Sequence, residues 1–365
     1  METNTYIFGQ IQPSYALTDP GSVFFLDIET TGFSPKSAYV YLIGGAFYGE
    51  NQWQGIQWFA DSPGEEKNIL KALSSYLSGF STLIHFNGTR FDLPFLKSRM
   101  ELHGIPFPFD GFCSIDLYAR ILPCKSFLRL QSCRQKALEQ FMKIHREDEF
   151  DGGQLIKVYK SYLKEREPEQ LSLLLLHNRE DLQGMVQLLP MLSYADLFDH
   201  SPLVTQAETN QYLDLENREK QELVLRLSLP SRLPLPVSFH ANGCFFTAEE
   251  NRALLRIPIY LEEMKHFYDN YKEYDYLPEE DIAIHRSVSS FVAKDHRRAA
   301  SAKNCYMRKH SSYLPQWDVL FTPFFKQRYD SPLLFFEWKE EMKKDREALS
   351  KYASHVLYML RLGGS

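Results

Sequence analysis

The sequence predicts an α/β domain with a mixed sheet followed by a smaller α+β domain, on three observations. A run of apolar and aromatic residues at 23–26 stops at Asp27-Ile28-Glu29-Thr30-Thr31-Gly32, as a buried strand with polar residues at its end would. Two more strand-like stretches follow, and then helix, strand and helix in alternation. From residue 128 the pattern is helical to about 198, after which short alternating stretches return. Three consecutive strands and then strand–helix alternation indicate a sheet with both antiparallel and parallel neighbours.

The elements are justified in chain order. Residues 39–48 are rich in β-branched and aromatic side chains, and 52–60 alternate around Trp53, Ile56 and Trp58, so these two stretches and the first predict an antiparallel meander. Asp61-Ser62-Pro63-Gly64-Glu65-Glu66 has the cap residue, early proline and acidic first turn of a helix start. Ile69, Leu70, Leu73, Tyr76 and Leu77 give that helix one apolar face, and Gly79 ends it. Residues 82–87 read as a strand and 91–104 as a helix. Helices at 151–163 and 171–197 are separated by Glu165-Arg166-Glu167-Pro168-Glu169. Residues 201–222 are polar and weakly patterned, which predicts a linker between a first domain over 1–200 and a second over 223–365. In the second domain 223–229, 237–246 and 253–260 read as strands, and 264–276 and 333–362 as helices.

Composition narrows the class. With 365 residues, 44% hydrophobic and 24% charged, the chain has material for two ordinary cores, and large-scale disorder is excluded. Five widely spaced cysteines without a Cys-x-x-Cys pair read as reduced thiols, not as zinc ligands or disulfides. The first residues have neither a basic region nor an apolar core, and the most apolar helical run, 171–176, is too short to span a bilayer. A cytoplasmic protein without membrane association is the expectation. The net charge of −6 argues against binding nucleic acid over the whole surface but leaves room for a local basic patch.

Three stretches carry chemistry. Alternate strand residues share a face, so Asp27 and Glu29 project together while Ile28 returns to the core. Side by side they repel, which raises the proton affinity of one unless divalent cations supply the missing charge. Taken alone, Asp-x-Glu is more often the end of a strand in an acidic, solvated turn. Asp92 follows Asn87-Gly88 at a strand end that leads into a helix, where sites of α/β sheets gather; by itself it is more often only a helix cap. His177 and Asp181 stand four apart on a helix face, among Leu173, Leu174, Val186 and Leu189. A lone histidine there would be an ordinary core residue. The matching Asp181 and the other two stretches favour a site.

In order and approximate spacing, Asp27-x-Glu29, Asn87-x-x-x-Phe91-Asp92 and His177-x-x-x-Asp181 resemble the three motifs of the DEDD (DnaQ-like) 3′-5′ exonuclease superfamily. Over residues 20–195 the Tyr-Leu-Ile-Gly-Gly segment, Ser114-Ile115-Asp116-Leu117 and the His177-Asn178 pair are similar to its YprB-type RNase H-like branch. The third motif departs from the main subclasses, which set a Tyr with three intervening residues or a His with four before the last Asp; here a His has the Tyr spacing. The resemblance implies an RNase H-like fold with a mixed five-stranded sheet flanked by helices. It also implies a metal-dependent nuclease that removes nucleotides from a 3′ end of DNA or RNA, with single-stranded ends as the expected partner. Asp27, Glu29, Asp92 and Asp181 are the implied ligands, and hard oxygens suit two Mg²⁺ or Mn²⁺ ions. His177 is the candidate general base. Glu180 points about 100° from Asp181 around the helix and is left out of the ligand set. Asp116 either orients the site from behind or starts a surface helix. The alternative function is a nucleic-acid-binding module that keeps the fold without turnover, and an interaction protein is a third reading.

In the second domain, Arg286, Lys294, Arg297, Arg298, Lys303, Arg308 and Lys309 stand against the single acid Asp295 over residues 286–310. Phosphates are one partner for such an excess, with Tyr306 and Tyr313 stacking on bases. The other reading is a solvated face balanced by acids such as Glu279-Glu280-Asp281.

Overall fold

The computed structural model describes residues 1–362 apart from 10, 12–14, 149, 151 and 215. Two compact units make up the chain, residues 1–196 with 231–235, and residues 197–230 with 236–365. Among the described residues no helix is long and apolar enough to cross a membrane.

The first unit is built on β1 (Glu2–Ile7), β2 (Val23–Thr30), β3 (Val40–Gly49), β4 (Gln52–Phe59), α1 (Glu66–Tyr76), β5 (Thr82–His85), α2 (Asp92–Leu102) and β6 (Cys113–Asp116). Then come α3 (Leu117–Ile121), α4 (Gln135–Phe141), α5 (Gly152–Glu165), α6 (Pro168–Leu188) and α7 (Leu192–Asp199). Residue 151, expected to open α5, lies outside the described residues. The sheet order is β1-β4-β3-β2-β5-β6. The meander β2-β3-β4 is antiparallel, while β5 and β6 run parallel to β2. The sheet is thus mixed but six-stranded instead of five-stranded. The extra strand, β1, pairs along the outer edge of β4; its Glu-Thr-Asn-Thr sequence is polar because an edge strand leaves much of its surface in water.

Alternation along β2 divides the unit into two layers. Phe24, Leu26 and Ile28 join Ile69, Leu70 and Leu73 of α1 and Phe95, Leu96 and Met100 of α2 in one core. On the opposite face, Tyr41, Leu42 and Phe59 pack with Leu155, Tyr159 and Tyr162 of α5 and Leu174 of α6. Phe25, Asp27 and Glu29 have the other parity and face this second layer. Two glycines of β3 fit it between the layers. A Cβ on Gly45 would lie 2.1 Å from Cζ of Phe24, and one on Gly44 would lie 2.1 Å from Oδ1 of Asn178 on α6.

The second unit holds β7 (Leu203–Leu213), β8 (Glu219–Ser228), β9 (Val237–Ala241), β10 (Cys244–Glu249), β11 (Arg252–Phe267), β12 (Tyr274–Leu277), β13 (Ile282–His285), α8 (Arg286–Ser289), β14 (Arg298–Ala299), β15 (Tyr306–Gln316), β16 (Phe324–Phe325), β17 (Leu334–Glu337) and α9 (Arg346–Leu362). It differs from the expectation in four places. Residues 201–222 are no linker, because β7 and much of β8 form an antiparallel pair there; β7 is largely exposed, hence its weak apolar pattern. Residues 237–246 are two strands, reversed at Asn242-Gly243, where both residues have positive φ as tight hairpins require. The helix expected over 264–276 is instead the end of β11, a single 3-10 turn at Tyr271–Glu273 and the start of β12, since pairing of β11 with β15 and of β12 with β13 decides the conformation. In 333–362 only Arg346–Leu362 is the α-helix, after the short strand β17.

Gly45→Ala is expected to lower stability by about 1–3 kcal/mol, the usual cost of overpacking, in a denaturant melt. Because Gly45 faces away from Asp27, divalent-cation binding by the folded variant should match wild type.

Candidate metal centre

The site forms where three elements meet on the α6 side of the sheet. β2 supplies Asp27 and Glu29 by alternation, and α6 supplies His177, Asn178 and Asp181. Asp92, at the start of α2, joins them through its Oδ1, which accepts the Ile28 amide at 3.3 Å. The loop before α2 has its own anchor. Asp116 accepts the amides of Asn87 at 2.8 Å and Thr89 at 3.3 Å, and also caps α3 through Ala119 at 3.3 Å. Asp116 is therefore both a helix start and the residue that fixes the turn leading to Asp92.

Asn178 explains Gly44. Its Nδ2 donates to Oδ2 of Asp27 at 2.7 Å, and its Oδ1 accepts from Gln57 at 2.8 Å, so the amide lies flat across β3 where any side chain at 44 would collide. The sequence pairs His177 with Asn178; the structure gives Asn178 the task of orienting Asp27.

Among the described residues, Glu29, His177 and Asp181 each offer a ligand atom within 4.8 Å of the others. His177 Nε2 stands 3.5 Å from Glu29 and 3.3 Å from Asp181. Asp27 and Asp92 lie outside this group but act on it through charge. Burial, then Asp181, Glu29 and Asp92, hold Asp27 well above the usual carboxylate range. Glu29 is raised in the same way by burial, then Asp181, Asp92 and Asp148. Asp92 is pushed up to about 7, chiefly by burial and against the pull of backbone amides. Such a cluster is short of positive charge, and the donors present are mainly hard oxygens, so a divalent cation fits these residues.

Part of the missing charge comes from Arg146, which sequence reasoning missed. Its guanidinium reaches Asp181 Oδ1 at 2.5 Å, Glu139 at 3.1 Å and Asp148 at 3.2 Å. Asp148, whose side chain is fully buried, accepts from His177 Nδ1 at 2.6 Å and from Lys136 at 3.0 Å. Burial works against the ionised form of Asp148, but His177, Lys136 and the Phe150 amide outweigh it and lower its proton affinity. Glu180 turns away from the cluster, as its helix position requires, and accepts the amides of Glu147 and Asp148 at 3.0 and 2.9 Å. In the sequence, His145-Arg146-Glu147-Asp148 has the look of a solvated charged loop. No local signal marks Arg146 or Asp148 as buried.

Four of the seven basic residues of the 286–310 stretch in the second unit, Arg286, Arg297, Arg308 and Lys309, pair with acids of the same unit. Arg286 and Arg297 pair with Asp275 at 3.5 and 3.4 Å, Arg308 with Glu263 at 3.2 Å and Asp281 at 3.8 Å, and Lys309 with Glu337 at 2.7 Å. Arg298 lies over the Tyr276 ring. Tyr306 and Tyr313 are buried, and the Tyr306 hydroxyl donates to Asp281, so neither ring is open to stack on a base. The expectation that Tyr306 and Tyr313 stack on bases is corrected accordingly, while Lys294, Arg298 and Lys303 stay exposed.

Residues 24–193 match the RNase_H_2 family model of the RNase_H superfamily. The chain is 27% identical over 186 residues to the uncharacterized protein YprB of Bacillus subtilis (strain 168), which covers 50% of this chain and 44% of that relative. It therefore spans less than half of the relative's length. Among solved structures, the family B DNA polymerase of the hyperthermophilic archaeon Pyrobaculum calidifontis is 12% identical with a TM-score of 0.40, covering 71% of this chain and 36% of that one. A product-bound exonuclease I is 12% identical with a TM-score of 0.33, covering 62% of this chain and 58% of the other. The first unit has the RNase H-like fold, a mixed sheet flanked by helices.

Asp27, Glu29 and Asp92 bind protons more tightly in the folded chain than in the unfolded one, so the folded state carries more protons between the two values. Stability of the metal-free protein should therefore fall as pH rises from about 4, the unfolded carboxylate value, through about 7, the value for Asp92. A divalent cation replaces those protons. Mn²⁺ is expected to raise the melting temperature more at pH 8 than at pH 5 in scanning fluorimetry, and equal shifts at both would count against carboxylate ligation.

Proposed function

We propose that the first unit is a nuclease that hydrolyses phosphodiester bonds with the help of two divalent cations, Mg²⁺ or Mn²⁺, and removes nucleotides from the 3′ end of DNA or RNA. The observation that carries this reading is the convergence of Asp27, Glu29, Asp92 and Asp181 in one cluster, where burial and mutual repulsion raise the proton affinities of Asp27, Glu29 and Asp92. Binding without turnover would give no reason to collect four repelling carboxylates. The match of residues 24–193 to the RNase_H superfamily supports the same class of chemistry, and the motif resemblance supports the 3′-5′ direction and a single-stranded end.

When bound, the ions supply the positive charge that acidifies a water and stabilises the departing oxygen. The chain's own residues do the rest. Asp27, Glu29, Asp92 and Asp181 would hold the ions, Asn178 fixes the orientation of Asp27, and His177 Nε2 faces Glu29 and Asp181 with its other nitrogen engaged by Asp148. A proton leaves the attacking water for His177, the new bond forms between the water oxygen and phosphorus, and the bond to the 3′ oxygen breaks. The products are a 5′-mononucleotide and a chain shorter by one residue.

A second role for His177 has one observation in its favour: Nε2 shares a ligand-distance group with Glu29 and Asp181. As a ligand, its loss should weaken Mn²⁺ binding measured by calorimetry. As a base, His177→Ala should leave Mn²⁺ affinity within about twofold while turnover falls roughly 10²- to 10⁴-fold.

Asp27→Ala and Asp181→Asn are expected to abolish cation-dependent release of mononucleotides from a 3′-end-labelled strand while circular dichroism shows the fold retained. Hydrolysis by the wild type that EDTA leaves undiminished would overturn the proposal, and 5′-end-labelled substrate tests the direction.

A further inference from the structure

Asp148 is bonded like a part of the reactive site, yet it is no candidate ligand, and neither the sequence motifs nor the proposed chemistry assigns it a task. Its Oδ2 receives three donors: His177 Nδ1 at 2.6 Å, Lys136 Nζ at 3.0 Å and Arg146 Nη2 at 3.2 Å. Its Oδ1 accepts the Phe150 amide at 3.1 Å. With both oxygens engaged and the side chain fully buried, the carboxylate cannot rotate without breaking several bonds.

An oxygen that already accepts from an ammonium and a guanidinium has only lone pairs to offer a third partner. The hydrogen between it and the imidazole must therefore sit on Nδ1. That fixes the ring in one orientation, with Nε2 at the carboxylates of Glu29 and Asp181, 3.5 and 3.3 Å away. The loop that carries Asp148 is itself tied to the helix of His177, because Glu180 accepts the amides of Glu147 and Asp148. His177 and Glu180 are neighbours three apart on that helix, and the loop bonds to both of them.

We infer that Asp148 is a positioning residue: fastened by Glu180, Arg146 and Lys136, it holds the His177 imidazole with Nδ1 protonated and Nε2 presented to the reacting water. This rests on the reading of His177 as proton acceptor. A carboxylate behind the ring also favours the imidazolium that forms once the water's proton is taken, so Asp148 contributes more at the transition state than in substrate binding.

Two measurements decide it. In metal-free wild-type protein, NMR should find the His177 Nδ1 proton strongly downfield and slow to exchange, assigned by its absence in His177→Ala; in Asp148→Ala that resonance should be lost. This reading needs no catalysis. Kinetically, Asp148→Ala should lower kcat by about 10²-fold, within the range for a general base, with KM changed by less than about twofold. Asp148→Ala combined with His177→Ala should be no slower than His177→Ala alone, because both remove one shared function. Should Asp148→Ala not fold, Glu180→Ala releases the same loop without touching the imidazole and should weaken the Nδ1 resonance and kcat in the same direction. Persistence of the Nδ1 proton in these folded variants, or losses that multiply in the double mutant, would overturn the inference. Wild-type protein that shows the proton but hydrolyses nothing would overturn the nuclease proposal and leave the Asp148 bond standing.

Discussion

Four carboxylates that repel one another are held within one buried volume, and much of the first unit can be understood as the means of keeping them there. Alternation along β2 commits Asp27 and Glu29 to a single face, and the core on the other face, from Phe24 to Met100, prevents the strand from turning over. Asn178 lies on the bare backbone of Gly44 to brace Asp27, and the Ile28 amide braces Asp92. Arg146 meets Asp181 from the remaining side. Each of these contacts offsets part of the repulsion, and none of them neutralises Asp27 or Glu29.

Arg146 also bears on how the acidic cluster is held together. A buried ion pair is weak evidence for net stability, but removing one partner leaves the other charge buried and alone. Here the guanidinium is shared among Asp181, Glu139 and Asp148, so the three acids depend on one another through it. The loop that bears it is therefore part of the site's electrostatics, although it contributes no residue to the three motifs.

The strands and helices around the site were legible because their apolar periods are strong: the 23–26 run, the face of α1 and the long apolar helix α6. The grouping of the candidate residues was legible for the same reason. Period two sets Asp27 beside Glu29, and four-residue spacing sets His177 above Asp181. Helix geometry also took Glu180 away from the cluster, but only the folded chain reveals that it goes to the amides of Glu147 and Asp148. Arg146, Asp148 and Glu139 were illegible because burial of a charged residue depends on partners distant in sequence, and a charged loop has the same composition whether it faces water or a carboxylate. In the second unit β7 lacks an apolar alternation because it is largely exposed, and Arg286, Arg297, Arg308 and Lys309 find acids outside their own stretch that a count of charge within it does not reveal.

One strand of that second unit, β11, runs for 16 residues and changes partners midway. Its first half lies between β10 and β8, and its second half pairs with β15. Pro258, which has no amide hydrogen to give, falls between Arg256, paired with β10, and Tyr260, paired with β15. The partners change around a residue that cannot donate. Because the chain is continuous through this point, one strand is the common reference for β8, β10 and β15, and a one-residue slip of any of them against it would turn that partner's alternate residues to the wrong face.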